Sequence, residues 1–205
     1  MKYNKSLKIK ICGLKYDIVE ISDLNPDFLG FIFYSKSPRF FSKNFIIPKL
    51  KKEIFKTGIF VNETIENIMN ISYNNKLDFI QLHGNESPFF CKKLFDKGFR
   101  IIKSFKINNS FIMKTLSSYI PFCSYFLFDN NGGSGKKFCW NILKKYNFDI
   151  PFFLSGGISS KDLKKIKEFN HPKIFGIDIN SKFEIYPGKK NKEMIKSFIE
   201  KIKKI

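Results

Sequence analysis

Two side chains in this chain stand where proton-transfer chemistry could be carried out. Cys12 closes the run KIKIC and is followed at once by Gly13, and Asp129 closes the run YFLFD. A cysteine in such a run is either an inert core residue or a base and nucleophile. The second role requires positive charge or helix dipoles nearby to lower its pKa from about 8.5. A carboxyl group at the end of an apolar run is either a capping or ion-paired residue or a functional acid whose pKa is raised by its surroundings. The chain has only two histidines, His83 and His171, so Cys12 with Asp129 is favoured as the acid–base couple.

Two further features point to an anionic ligand. Arg39, in the polar loop YSKSPRF, is one of two arginines against 35 lysines. Its planar fork suits bidentate capture of a carboxylate, which a lysine cannot imitate; an isolated surface arginine is the alternative. Seven of the 12 glycines (Gly132, Gly133, Gly135, Gly156, Gly157, Gly176 and Gly188) fall late in the chain. SGGIS (155–159) and DINS (178–181) together read as a phosphate cradle built on Gly156, Gly157, Asn180 and Ser181. Glycine lets backbone N–H groups approach an anion, and a following helix N-terminus adds a favourable dipole.

Positioning these groups requires a scaffold, and short apolar runs alternating with longer amphipathic stretches indicate repeated βα units around a parallel sheet. Eight strands are expected: Lys8–Cys12, Phe28–Phe33, Thr57–Val61, Phe79–Leu82, Ile101–Phe105, Phe126–Asp129, Phe152–Ser155 and Ile174–Asp178. Ser87-Pro88 marks a helix start and Gly98 its end. Apolar stripes follow Asn62 (Ile65, Ile68, Met69) and Ser160 (Leu163, Ile166, Phe169), and recur in the last helix (Met194, Ile195, Phe198, Ile199, Ile202). All read as core packing against a sheet. The expected fold is a single-domain (β/α)8 TIM barrel over residues 1–205, with a doubly wound open sheet as runner-up. The barrel is favoured because the reactive residues gather at strand C-terminal ends, where barrels build their sites: Cys12, Lys36 with Arg39, Asn62, His83, Lys103 with Ser104, Asp129, Ser155 and Asp178.

Composition narrows the class. A hydrophobic content of 43% over 205 residues fills one sizeable core. No apolar stretch is long enough for a membrane helix or a secretory leader, which points to the cytoplasm. The four cysteines are widely spaced without a CxxC pair, so reduced thiols are expected, with no zinc site or disulfide framework. The net charge of +19 would suit nucleic-acid binding, but the lysines are spread along the chain without forming a patch. Alanine is absent, and Phe, Ile and Asn are abundant, so the charge reads as compositional bias.

The stretches KICG (10–13), GFIFYSKSPRF (30–40), TGIFVN (57–62), IQLHGNE (80–86), LFDNNGGSGKKFCW (127–140), LSGGIS (154–159) and DINSKFEIYPGKKN (178–191) resemble the phosphoribosylanthranilate isomerases, in order and along almost the whole chain. The resemblance implies an Amadori rearrangement of a phosphoribosyl-anthranilate in tryptophan biosynthesis. Asp129 would be the general acid, Cys12 the general base, and Arg39 the holder of the substrate carboxylate. Gly156, Gly157, Asn180 and Ser181 would bind phosphate, while His83, Gly133 and Asp178 would line the site, Asp178 as a structural carboxylate. It implies no metal and no cofactor, because a positioned acid and base suffice. The implied partner is a small phosphosugar, with neither nucleic acid nor membrane; a monomer is expected, and a homodimer is the alternative. The chain departs from the family's pattern at Cys139, where an aspartate is common, and at Lys182, where glycine is common. That lysine either adds charge to the phosphate site or faces solvent.

Three competing readings have discriminating features. Related phosphosugar isomerases of histidine biosynthesis would carry an aspartate at the end of strand 1, where this chain has Cys12. A basic RNA-associated protein predicts salt-dependent oligonucleotide binding. A degenerate barrel that binds without turnover is disfavoured by the retained Cys12 and Asp129.

Overall fold

The computed structural model describes residues 6–42, 46–108, 110–130 and 139–204. Gly132, Gly133, Gly135 and most of the stretch after strand 6 lie outside the described residues.

Eight parallel strands close into a barrel in chain order: β1 Lys8–Cys12, β2 Phe28–Ile32, β3 Phe55–Phe60, β4 Phe79–Leu82, β5 Ile101–Lys106, β6 Tyr125–Asp129, β7 Phe152–Leu154 and β8 Ile174–Ile179. Each agrees with its sequence expectation to within two residues at either end. Closure pairs β1 with β8 in a register that sets Lys10 opposite Asp178.

The helical layer is thinner than eight full βα units would give. The regular helices are α1 Ile18–Ser22, α2 Ile65–Asn75, α3 Pro88–Phe95, α4 Leu163–Phe169 and α5 Lys192–Ile202. As anticipated, the Ser87 side chain caps α3 by accepting from the Phe90 amide at 3.2 Å, and Gly98 beyond its end adopts φ +83°. The cap of α2 is Thr64, two residues beyond Asn62. Met194 of α5, expected in the apolar stripe, is 38% exposed, whereas Ile195, Phe198, Ile199 and Ile202 are buried. Between β5 and β6 the chain makes a 3-10 helix, Met113–Phe122. There the Thr115, Ser117 and Ser118 hydroxyls bond to carbonyls three residues back, and Pro121 lacks the amide an α-helix would use. A second 3-10 stretch, Trp140–Lys145, precedes β7. No helix was found in the β2–β3 connection among the described residues.

Two apolar regions hold the assembly. The larger fills the space between barrel and helices, with Ile9, Ile11, Leu82, Ile177 and Phe198 all at most 1% exposed. The smaller plugs the barrel at the strand N-terminal ends: Phe28, Phe79, Ile102, Leu127 and Phe153 are buried, with Phe55, Tyr125 and Phe175 packed against them. Phe28 meets Phe153 edge-on at 5.2 Å, and Tyr125 stacks on Phe175 at 4.4 Å. Such ring pairs contribute about 0.5–1.5 kcal/mol each beyond simple burial. With that end sealed, polar side chains of the barrel interior open only toward the strand C-terminal ends.

No helix among the described residues is long and apolar enough to cross a membrane.

Candidate active site

At the C-terminal ends of the strands lies a cavity of about 740 Å³. Cys12, Arg39, His83, Asp129, Gly156, Gly157, Asp178, Asn180 and Ser181 all line it. Gly133 lies outside the described residues. Two other strand-end positions serve the scaffold. Asn62 is not in the cavity wall; its side-chain oxygen accepts from the Asn85 amide at 2.7 Å. A Cβ on Gly84 would stand 2.3 Å from that oxygen, so only glycine fits the approach. Lys103 touches the cavity, but its ammonium is committed to Glu86 at 3.0 Å and to the carbonyls of Gly84, Ser104 and Leu82. Glu86 in turn accepts from the amides of Asn62 and Gly84, tying the ends of β3, β4 and β5 together. Lys182 is exposed and faces solvent.

Alternation along β1 turns Lys10 and Cys12 to one face and Ile9 and Ile11 to the other. Cys12 is 5% exposed, and burial pushes its thiol above the ordinary range; the ammonium groups of Lys10 and Lys190 oppose that rise, and Asp178 adds to it. Lys10 is fully buried and donates to Asp178 at 2.8 Å, while the Ser155 hydroxyl donates to the other Asp178 oxygen at 3.1 Å. Burial would lower the Lys10 pKa, but Asp178 and Cys12 hold it above its usual value. Asp178 is thus the anchor of a buried lysine, consistent with a structural carboxylate.

Asp129 is 8% exposed, and its Oδ2 lies 3.7 Å from His83 Nε2. The Gln81 amide nitrogen lies 2.9 Å from His83 Nδ1 and donates to it in the tautomer that carries the ring proton on Nε2. Burial, reinforced by Lys10 and Lys103, lowers the His83 pKa to about 4, so the imidazole is neutral at pH 7.

Arg39 is held by a partner that sequence reasoning missed. Glu184 accepts from Arg39 Nε at 2.9 Å and from Nη2 at 2.7 Å, leaving the Nη1 side of the guanidinium unengaged by it. Glu184 opens the small hairpin of β9 Glu184–Tyr186 and β10 Lys189–Lys190. Its carboxylate also accepts from Lys190 at 2.8 Å and from the Gly188 amide at 3.0 Å. Burial would raise Glu184, but bonds from Arg39 and Lys190 hold it below the usual carboxylate range. Lys190 also donates to Asn180 Oδ1 at 2.7 Å. Gly13, with φ +71°, sits beneath this group, where a Cβ would come within 2.8 Å of both Arg39 Cδ and the Asn180 side chain.

The proposed anion loops lie beside one another. Gly156 and Gly157 take φ values of +90° and +65°, and the chain then enters a capping box between Ser159 and Asp162 ahead of α4. Asn180 and Ser181 lead into a 3-10 turn, Ser181–Phe183. Sequence reasoning also missed Lys10, Gln81 and Lys190. Lys10 and Gln81 carried a usable signal, each standing two residues before a selected side chain at or just past the end of its strand. Lys190 carried none, being one lysine among 35.

Comparisons with known proteins agree with the fold. The family model for N-(5'phosphoribosyl)anthranilate (PRA) isomerase matches residues 9–201. An N-(5'-phosphoribosyl)anthranilate isomerase from Parabacteroides distasonis is 41% identical over 210 residues, covering 95% of this chain and 92% of its own length. The crystal structure of the Thermotoga maritima phosphoribosyl anthranilate isomerase superposes with a TM-score of 0.83 at 30% identity, covering 97% of this chain and all of its own. A phosphoribosyl anthranilate isomerase in complex with reduced 1-(o-carboxyphenylamino)-1-deoxyribulose 5-phosphate superposes with a TM-score of 0.82 at 28% identity, again covering 97% of this chain and all of its own. On the extent and identity of these matches, the chain belongs to the N-(5'-phosphoribosyl)anthranilate isomerase family.

Proposed function

We propose that this chain isomerises N-(5-phosphoribosyl)anthranilate to 1-(2-carboxyphenylamino)-1-deoxyribulose 5-phosphate, with Asp129 as general acid and Cys12 as general base. The observation that carries the assignment of roles is the meeting of Cys12, from β1, and Asp129, from β6, in one cavity walled by Arg39 and two glycine-bearing loops. Asp129 protonates the furanose ring oxygen, and the C1–O bond opens to a Schiff base. The Cys12 thiolate removes the C2 proton, the C2–H electron pair forms the C1=C2 double bond, and the C1=N π pair passes to nitrogen, giving an enolamine. Tautomerisation to the ketone completes the rearrangement, so acid and base exchange protons with no net redox change. Arg39 offers its free guanidinium edge to the anthranilate carboxylate, and Gly156, Gly157, Asn180 and Ser181 take the phosphate. Neutral His83 lines the site 3.7 Å from Asp129.

In this reading residues 1–205 are one catalytic domain acting in the cytoplasm on a small phosphosugar, as a monomer or, alternatively, a homodimer. It is tested by following the loss of substrate fluorescence with freshly generated phosphoribosylanthranilate. Wild type is expected to turn over, and Cys12→Ser and Asp129→Asn to fall by at least about 100-fold each. Turnover surviving both changes would overturn the residue roles; folded wild type without turnover would overturn the activity.

A further inference from the structure

Cys12 presents a chemical difficulty that its own position does not resolve. A base must shed its proton before it can take one from carbon, yet Cys12 is 5% exposed, and burial disfavours the thiolate. Among the described residues, the groups that bear on it come from several elements. Lys10 precedes it by two residues on the same face of β1. From β8 comes Asp178, from β10 Lys190, and the cavity wall adds His83, just past β4, and Asp129 of β6. Arg39 approaches over Gly13. β2 contributes only Gly30, whose lack of a side chain leaves room for the sulfur: a Cβ there would be 3.1 Å from Cys12 Sγ.

These cations are not equivalent. Arg39 and Lys190 share one carboxylate, Glu184, so their cluster keeps a net positive charge, but Lys190 weighs less on the thiol than Lys10 does. His83 is neutral. Lys10 is fully buried, and the one carboxylate it bonds, Asp178, also serves Ser155. A fully buried ammonium is costly unless the site needs it, and a core lysine directly beneath the thiol is a fixed positive charge.

We propose that Lys10 is a positioning residue whose ammonium, held beneath Cys12 by Asp178, supplies the positive charge against which Cys12 acts as a thiolate. This rests on the reading of Cys12 as the base, but it is tested without turnover. The rate of Cys12 alkylation by iodoacetamide, an uncharged probe, is followed across about pH 6 to about pH 10 by mass spectrometry of the Cys12 peptide. In Lys10→Met the titration midpoint moves upward by about one pH unit or more, with alkylation near pH 7 at least about tenfold slower. Lys10→Gln removes the charge but keeps a donor for Asp178, and its midpoint also moves upward. A role confined to packing or to the hydrogen bond would leave the midpoint of Lys10→Gln at the wild-type value. An unchanged or lowered midpoint in folded Lys10→Met overturns the proposal. Should that variant not fold, an unchanged or lowered midpoint in Lys10→Gln overturns it instead. Wild type that alkylates as described yet lacks turnover would sink the activity and leave the role of Lys10 standing.

Discussion

At the scale of single residues, the site is a set of charges whose burial is compensated in pairs. Glu184 with Arg39 and Lys190, Asp178 with Lys10, and Glu86 with Lys103 each satisfy a group that would be prohibitive to bury alone. His83 is the exception, remaining neutral because three influences disfavour its charged form. Its folded pKa of about 4 lies below the ordinary 6.5, so the unfolded chain binds a proton that the folded one refuses. The stability His83 contributes is therefore complete above about pH 6.5 and is lost as pH falls toward 4, by at most about 3 kcal/mol. Urea unfolding at several pH values should show this slope, and His83→Gln should flatten it; an identical slope in both proteins would refute the assignment. The selected pair Cys12 and Asp129 was legible in sequence because each closes a strand, Cys12 ahead of Gly13 and Asp129 after an apolar run. Glu184 was not, because its partner Arg39 lies 145 residues away.

At the scale of elements, capping chemistry and strand ends carry the organisation. The strands were readable because alternation and turn residues bound them on both sides. The helices were less so, because serine, threonine and proline in Met113–Phe122 favour local bonds over an α-helical ladder. The Ser87 cap offers a clean test of local against catalytic effects. Ser87→Ala should cost about 1 kcal/mol in equilibrium unfolding while kcat and KM stay at wild-type values, because α3 presents no group to the reaction. A change in kcat without a change in stability would mean that α3 does reach the site.

At the scale of the whole molecule, the barrel divides into a sealed end and an open one. Phe153 stands in the aromatic plug at the sealed end. Phe153→Ala should destabilise by about 3–5 kcal/mol. Activity per folded molecule should persist at permissive temperature, since the plug lies at the far end of the strands from Cys12 and Asp129. A collapse of kcat in the folded variant would show that the polar layer above rests directly on the plug. The net charge of +19 has a separate consequence. Repulsion among exposed lysines is screened by salt, so Tm should rise between about 0.05 M and about 0.5 M NaCl. A falling Tm would mean that the exposed ion pairs outweigh the repulsion.

Sequence by itself determined the eight strands and singled out Cys12, Asp129 and Arg39, because each is marked by neighbours a few residues away. It also marked the two glycine-bearing loops, whose backbone freedom is written into the residue type. Tertiary structure alone decided which of 35 lysines become internal charges. Lys10 meets Asp178 across 168 residues of chain, and Lys190 reaches Asn180 and Glu184 through a hairpin folded back over the rim. The physical reason is closure: only when β8 pairs with β1 does Lys10, marked in sequence by nothing more than the face it shares with Cys12, find its carboxylate on the other strand.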